Sequence, residues 1–301
     1  MTVRRRSLAL LGAAVSLAAA GCTAGSARSA AATGASPEPS GTPAAVVASA
    51  TRSTEAVTSA DLTQTIVETV RNAGAPGASG GSAPASVAVA GTGAYDFTRH
   101  VGDLTLHAPA NTTITIRQLG GTVYLSLPKL TSVDGGKPWI SVPLGQYTAK
   151  LSHDNPLFSL TPSPTALLGL LDKLGAHVTA HGQAVIGGVT TTRYQGSLDL
   201  ATLAGTLFGS TAGLSPQQKQ QVQRAFAAVP VEVDVGAHHH IRQVVVTITV
   251  GQETLTTTFG FSHFGVPVTT TAPPANQTAP GAAVLPELGA LLSGGAAAPA
   301  G

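Results

Sequence analysis

The feature that most constrains this chain is a strict alternation of apolar and polar residues in its second half. In V-P-V-E-V-D-V, Val229, Val231, Val233 and Val235 fall on one side, and Glu232 and Asp234 on the other. A period of two is the repeat of a β-strand, whereas a helix would scatter these valines around its circumference. Val244, Val246, Ile248 and Val250 repeat the pattern opposite Thr247 and Thr249, and Leu255, Phe259 and Phe261 continue it against Thr254, Thr256 and Thr258. Upstream, Gly120-Gly121 separates Ile114 and Ile116 from Val123, Leu125 and Leu127, and Gly187-Gly188 divides A-V-I from V-T-T-T-R-Y-Q-G-S-L-D-L. Such glycine pairs suit tight hairpin turns. The pattern predicts an antiparallel sheet with one dry face and one Thr-rich wet face.

A dry sheet face needs a cover, and four helices are expected to supply it. The first is read over Glu55 to Asn72, with Leu62, Ile66 and Val70 at i, i+4 and i+8 and Gly74 as a stop. The second, S-P-T-A-L-L-G-L-L-D-K-L-G, has Ser163 as N-cap, Pro164 at the first helical position and Gly175 beyond its end. Leu167, Leu170, Leu171 and Leu174 form its apolar face. The third lies within Ala201 to Phe208. The fourth opens with a capping box from Ser215 to Gln218 and turns Val222, Ala225, Phe226 and Val229 inward. The expected class is α+β: a curved antiparallel half-barrel with helices over its concave apolar face.

The N-terminus carries a different signal. Arg4, Arg5 and Arg6 precede an apolar run, Leu8 to Ala20, of about 13 residues, the length of a signal-peptide core rather than of a membrane span. Ala19-Ala20-Gly21-Cys22 then resembles a bacterial lipobox, with Ala19 where Leu is usual. That resemblance implies cleavage before Cys22 and acylation of its thiol. The chain has one cysteine, so no intramolecular disulfide forms, and an unmodified exposed thiol outside the cytoplasm is a liability. The expected organisation is a lipoprotein signal peptide over 1–21, a flexible tether over 22–54, a folded domain over 55–272 and a low-complexity tail over 273–301. Localisation follows as exported and lipid-anchored to the outer face of the cytoplasmic membrane, by either the Sec or the twin-arginine route.

Composition narrows the partners. Charged residues make up 10% of the chain, the net charge is +2, and no basic stripe interleaves with aromatics, which argues against nucleic-acid binding. The Ala, Gly, Thr and Pro bias points to a high-GC actinobacterial source. Gly77-Ala78-Ser79-Gly80-Gly81 matches the G-x-S-x-G pattern, yet it lacks the preceding strand a nucleophile elbow needs and is read as a loop. His238-His239-His240 falls where a hairpin turn is expected, and neighbours on a strand face opposite ways, so at most His238 and His240 reach one ion. His153, His177, His181 and His263 show no ligand spacing. Asp96, Asp103, Asp134, Asp154 and Asp172 form no acid–base pair, and Asp199 suits a helix N-cap. No catalytic residue, metal or cofactor is expected.

G-G-V-T-T-T-R-Y-Q-G-S-L-D-L (Gly187 to Leu200), V-P-V-E-V-D-V-G-A-H-H-H-I-R-Q-V-V-V-T-I and F-S-H-F-G-V-P-V-T-T-T-A-P-P resemble the LppX/LprG-type lipoproteins of actinobacteria, as does G-G-K-P-W-I-S-V-P-L (Gly135 to Leu144). The resemblance runs from about Glu55 to Thr271 and implies a LolA-like fold, a half-barrel closed by helices over a cavity for acyl chains. It implies a lipid or glycolipid as ligand, a membrane transporter as partner and a monomeric protein. Ile66, Val70, Leu167, Leu168, Leu171, Leu203, Leu207, Phe208 and Phe226 are then the expected cavity-lining residues. The alternative is that these side chains fill an ordinary core, and that the domain is a cavity-free envelope scaffold or sensor for a protein partner.

Overall fold

Twelve strands, β1 to β12, form one sheet in a computed structural model of the chain, which describes residues 41–70, 85–109, 111–127, 136–143, 164–171, 174, 178–199, 217, 220, 224 and 226–281. Their order is β12-β6-β5-β4-β3-β2-β1-β11-β10-β9-β8-β7. All neighbours run antiparallel except β12 (Thr278–Pro280), which lies parallel to β6 (Trp139–Pro143). The sheet is large, curved and not closed into a barrel.

The hairpins follow the alternating sequence. β9 (Val229–Val235), β10 (Ile241–Val250) and β11 (Glu253–Ser262) form a meander, preceded by the hairpin of β7 (Thr179–Ile186) and β8 (Val189–Leu198). Gly187 and Gly188, at φ 57° and 79°, form that turn in a region open to glycine without steric cost. The second half of the sheet contains β2 (Ala85–Asp96), β3 (Val101–Ala108), β4 (Thr112–Leu119) and β5 (Thr122–Ser126). β1 (Ser59–Val70) joins the halves by pairing with β2 on one side and β11 on the other.

The stretch expected to be the first helix is therefore a strand. Leu62, Ile66 and Val70 share one side of a strand as readily as one side of a helix, because four is a multiple of two and close to a helical turn. The β-branched content of T-Q-T-I-V-E-T-V favours the extended form. The helix lies just upstream, at α1 (Pro43–Ala56), inside the stretch read as tether. Thr42 caps it by accepting from the Ala45 N–H at 3.4 Å, and Pro43 occupies its first turn. β12 likewise falls within the stretch read as a low-complexity tail.

α2 (Pro164–Leu171) is the helix expected there, beginning at its proline. Gln217, Gln220, Arg224, Phe226 and Ala227 are helical before β9. Val46, Val47 and Ala50 of α1, Leu167, Leu168 and Leu171 of α2, and Phe226 share one buried cluster with Val231, Val233, Val244 and Phe259 of the sheet. The helix expected within Ala201 to Phe208 lies outside the described residues. No helix among the described residues is long and apolar enough to cross a membrane.

Candidate functional site

The dry face can be followed across the sheet by register, since residues directly opposite on paired strands share a face. One row runs Tyr194, Val233, Val244, Phe259, Gln64, Gly91, Leu106, Ile114. Every side chain in it except the glycine is buried, and all are apolar or aromatic except Gln64, which is 1% exposed. Neither Oε1 nor Nε2 of Gln64 finds a hydrogen-bond partner among the described residues. A buried amide without partners costs about 1–3 kcal/mol.

Gly91 and Gly93 bring β3 unusually close to β2. A Cβ on Gly91 would lie 2.0 Å from the Thr105 carbonyl oxygen, and one on Gly93 would lie 1.9 Å from that of Asp103. Only residues without side chains fit there. They also break the alternation, so this strand is hard to read from sequence.

Burial falls off along β1. Ala60 and Leu62 belong to the helix-packed cluster, while Ile66 and Val70, on the same face, are half-buried. Opposite Ile66 on β2 lies half-buried Val89, and opposite Glu68 lies Val87, which is 50% exposed. The apolar face thus continues past the packed core as a strip of Ile66, Val70, Val87 and Val89, with half-buried Glu68 on the same side.

Of the residues expected to line a cavity, Leu167, Leu168, Leu171 and Phe226 come together, each 0–1% exposed, in the buried cluster. Ile66 and Val70 lie apart from them on β1. Leu203, Leu207 and Phe208 lie outside the described residues, as do Cys22 and the G-x-S-x-G loop. Sequence reasoning passed over Gln64, Val87 and Val89. The available signal was the even parity that Gln64 shares with Leu62 and Ile66, visible once the stretch is read as a strand.

Hydrogen bonds fix the packed end. Thr54 Oγ1 donates to the Ala50 carbonyl at 2.8 Å and accepts from the Ile241 N–H at 2.9 Å, tying α1 to the start of β10. Tyr95 Oη and Thr165 Oγ1 lie 3.3 Å apart, joining β2 to α2. Burial raises the Tyr95 pKa, and its hydrogen bonds to Thr165 and Gln118 only partly offset this. Tyr95 meets Phe97 edge-on at 5.5 Å.

The opposite face is polar. Arg193 makes two 3.0 Å bonds to Asp234, whose side chain is fully buried, and Gln195 donates to Glu232 at 2.8 Å. The bond to Asp234 is the main reason the Arg193 pKa is raised. Burial pushes the Asp96 carboxyl up, but the Arg99 backbone N–H and guanidinium outweigh it and hold its pKa below the ordinary value. Residues 263–277 cross this face as a strap. Ser59 Oγ donates to the Val266 carbonyl, Arg99 to that of Val268, Thr270 to Asp103, and Arg117 to the Thr271 carbonyl. Ala94, Asp103, Arg117 and residues 267–271 border a groove of about 280 Å³ beneath it. Arg117 also stacks over Trp139 at 4.7 Å.

The histidine run forms the turn between β9 and β10, with His238 and His239 at φ 62° and 56°. His240 packs on Phe264 with ring centroids 4.6 Å apart, and Arg242 lies over the same ring at 5.0 Å. Burial, assisted by Arg242 and the two neighbouring histidines, lowers the His240 pKa. Among the described residues no group of three histidine, cysteine or carboxylate side chains is placed to hold a metal.

No family model matches the chain. No curated protein matches it. Among solved structures it is similar to the Mycobacterium tuberculosis lipoprotein LppX, at 15% identity and a TM-score of 0.45, over 76% of this chain and 98% of that one. It is also similar to LprF from Mycobacterium bovis, at 15% identity and a TM-score of 0.40, over 77% and 97% of the two chains. A LolA superfamily protein from Nitrosomonas europaea follows at 8% identity and a TM-score of 0.30, over 76% and 96%. The first of these carries a name of the family that the hairpin sequences resemble.

Proposed function

We propose that this chain is an envelope lipoprotein, anchored through Cys22, that holds the acyl chains of a lipid or glycolipid against the dry face of its sheet and carries or presents that lipid without catalysis. The observation that carries this reading is the continuation of the apolar face beyond the helix-packed cluster, through Ile66 and Val70 to half-exposed Val87. An apolar strip leading out of a core suits a guest with a long hydrocarbon chain. Two such chains hold about 30 methylenes, worth on the order of 24 kcal/mol gross when removed from water at 0.8 per methylene. A bilayer already supplies the same gain, so transfer between membrane and protein is close to neutral, as loading and unloading both require. Two or three acyl groups on Cys22 would confine the domain stably to the membrane that supplies its guest.

A second reading has its own support. Leu167, Leu168, Leu171 and Phe226 are almost completely buried, as in a filled core, which favours the cavity-free scaffold or sensor. One experiment separates the two. Protein purified from an actinobacterial host without its anchor is examined by native mass spectrometry and solvent extraction. Lipid at one equivalent is the expected result, reduced by Val87→Asp. Protein that is repeatedly lipid-free and takes up no fluorescent lipid from vesicles would leave the scaffold ahead.

A further inference from the structure

Gln64 sits in a cross-strand row that is otherwise apolar, on a face that also carries buried Thr257, opposite Ile66, and half-buried Glu68. Its row holds Val244 and Phe259 on one side and Leu106 and Ile114 on the other, all buried. Its immediate cross-strand neighbours, Phe259 and Gly91, offer no side-chain hydrogen-bonding group. Along its own strand it separates Leu62, inside the packed cluster, from Ile66, at the start of the half-exposed strip. At 1% exposure, with both amide atoms unmatched among the described residues, it is set for a partner that those residues do not provide.

We propose that Gln64 is a specificity residue for the guest, and that the guest bears a neutral hydroxyl on the part of its chain that reaches the inner end of the strip. This rests on the acyl-chain reading above. The amide presents an acceptor, Oε1, and a donor, Nε2. A plain hydrocarbon satisfies neither, and an ester carbonyl satisfies only the donor. A hydroxyl donates and accepts, so it can meet both atoms from within an apolar surrounding. A charged headgroup is disfavoured there, because burying it beside a neutral amide leaves its charge unpaired. Glu68, half-buried on the same face towards the end of β1, also opposes an anionic group on the way in. Selectivity is thus exerted on the chain, beyond the headgroup.

The test uses the full chain, carried in amphipol and incubated with phosphatidylcholine vesicles. The vesicles contain equal amounts of methyl octadecanoate and a methyl hydroxyoctadecanoate with its hydroxyl at carbon 3, 10 or 12. After flotation of the vesicles, protein-bound esters are quantified by mass spectrometry for wild type, Gln64→Leu and the closer isostere Gln64→Met. At one hydroxyl position, wild type is expected to favour the hydroxylated ester by about three- to tenfold more than either variant does, the scale of one buried hydrogen bond. Both variants should keep binding the plain ester. Equal preference in all three proteins at every position would overturn the inference and leave the acyl-chain reading standing. Binding of no ester by any of them would overturn both.

Discussion

The two ends of strand β1 carry the same kind of residue to opposite effect. At the Ser59 end, Ala60 and Leu62 are sealed into a cluster with α1, α2 and Phe226. At the Val70 end, Ile66 and Val70 are half-buried, and Val87, opposite Glu68 between them, is half exposed. The contrast is confined to the β1–β2 side, since Thr257 and Leu255 of β11, opposite Ile66 and Glu68, are buried. A single apolar face therefore divides into a part sealed by the described helices and a part that stays half-buried on β1, with Gln64 at the division. Apolar side chains alone do not distinguish a binding surface from a core.

Truncating each end tests this division most severely. Phe226→Ala, at a site 1% exposed, should cost about 3–5 kcal/mol. Val87→Ser, at 50% exposure, should change stability by no more than about 0.5 kcal/mol. Both are read from urea denaturation. A comparable loss at Val87 would mean that the open end is structural after all.

Gly91→Val addresses the close approach of β2 and β3. Its Cβ would meet the Thr105 carbonyl at 2.0 Å, and backbone cannot rotate aside as a side chain would. A loss of about 1–3 kcal/mol or more is expected in the same denaturation experiment, as for other overpacked sites. A neutral result would show that β2 and β3 separate easily.

The smallest effect concerns pH at the packed end, where His240 precedes fully buried Ile241. Its folded pKa is lowered from 6.5, chiefly by burial, so below that value the unfolded chain takes up a proton more readily than the folded one. Its contribution to stability is present above pH 6.5 and declines as pH falls through the unfolded value towards the folded one. Comparing melting temperatures from pH 7.5 to 5, His240→Gln should flatten this decline. An unchanged slope would assign the acid sensitivity elsewhere.

What could be read from the sequence divides along a physical line. β9 to β11 were legible because one face is buried and the other wet, so their alternation is uninterrupted. α2 was legible from a proline at its first turn followed by closely spaced leucines. β1 was misread because Leu62, Ile66 and Val70 fit both periodicities, and only cross-strand partners, β2 and β11, decide between them. α1 was missed although Thr42-Pro43 repeats the Ser163-Pro164 signal, because its alanine-rich sequence resembles a linker. β2 was hidden by Gly91 and Gly93, whose role depends on how close another strand comes. Gln64 could not be singled out because its meaning depends on its cross-strand neighbours, Gly91 and Phe259, both more than 25 residues downstream.

The pairing of β1 with β11 also bears on how the protein is made. Asp61 lies opposite Ser262, so the middle of the sheet is joined by the two ends of the folded region. Until β11 has been synthesised, β1 has a bare hydrogen-bonding edge and the dry face lacks Phe259 and Phe261. Contacts this distant in sequence form late and slowly, and they leave a partly made chain prone to pairing with its neighbours. Strands β2 to β6 and β7 to β11 each pair with their successors and can form as they emerge, but the two halves cannot be joined until β11 is complete. The join across β1 is thus a late step, made only when nearly all of the chain is available.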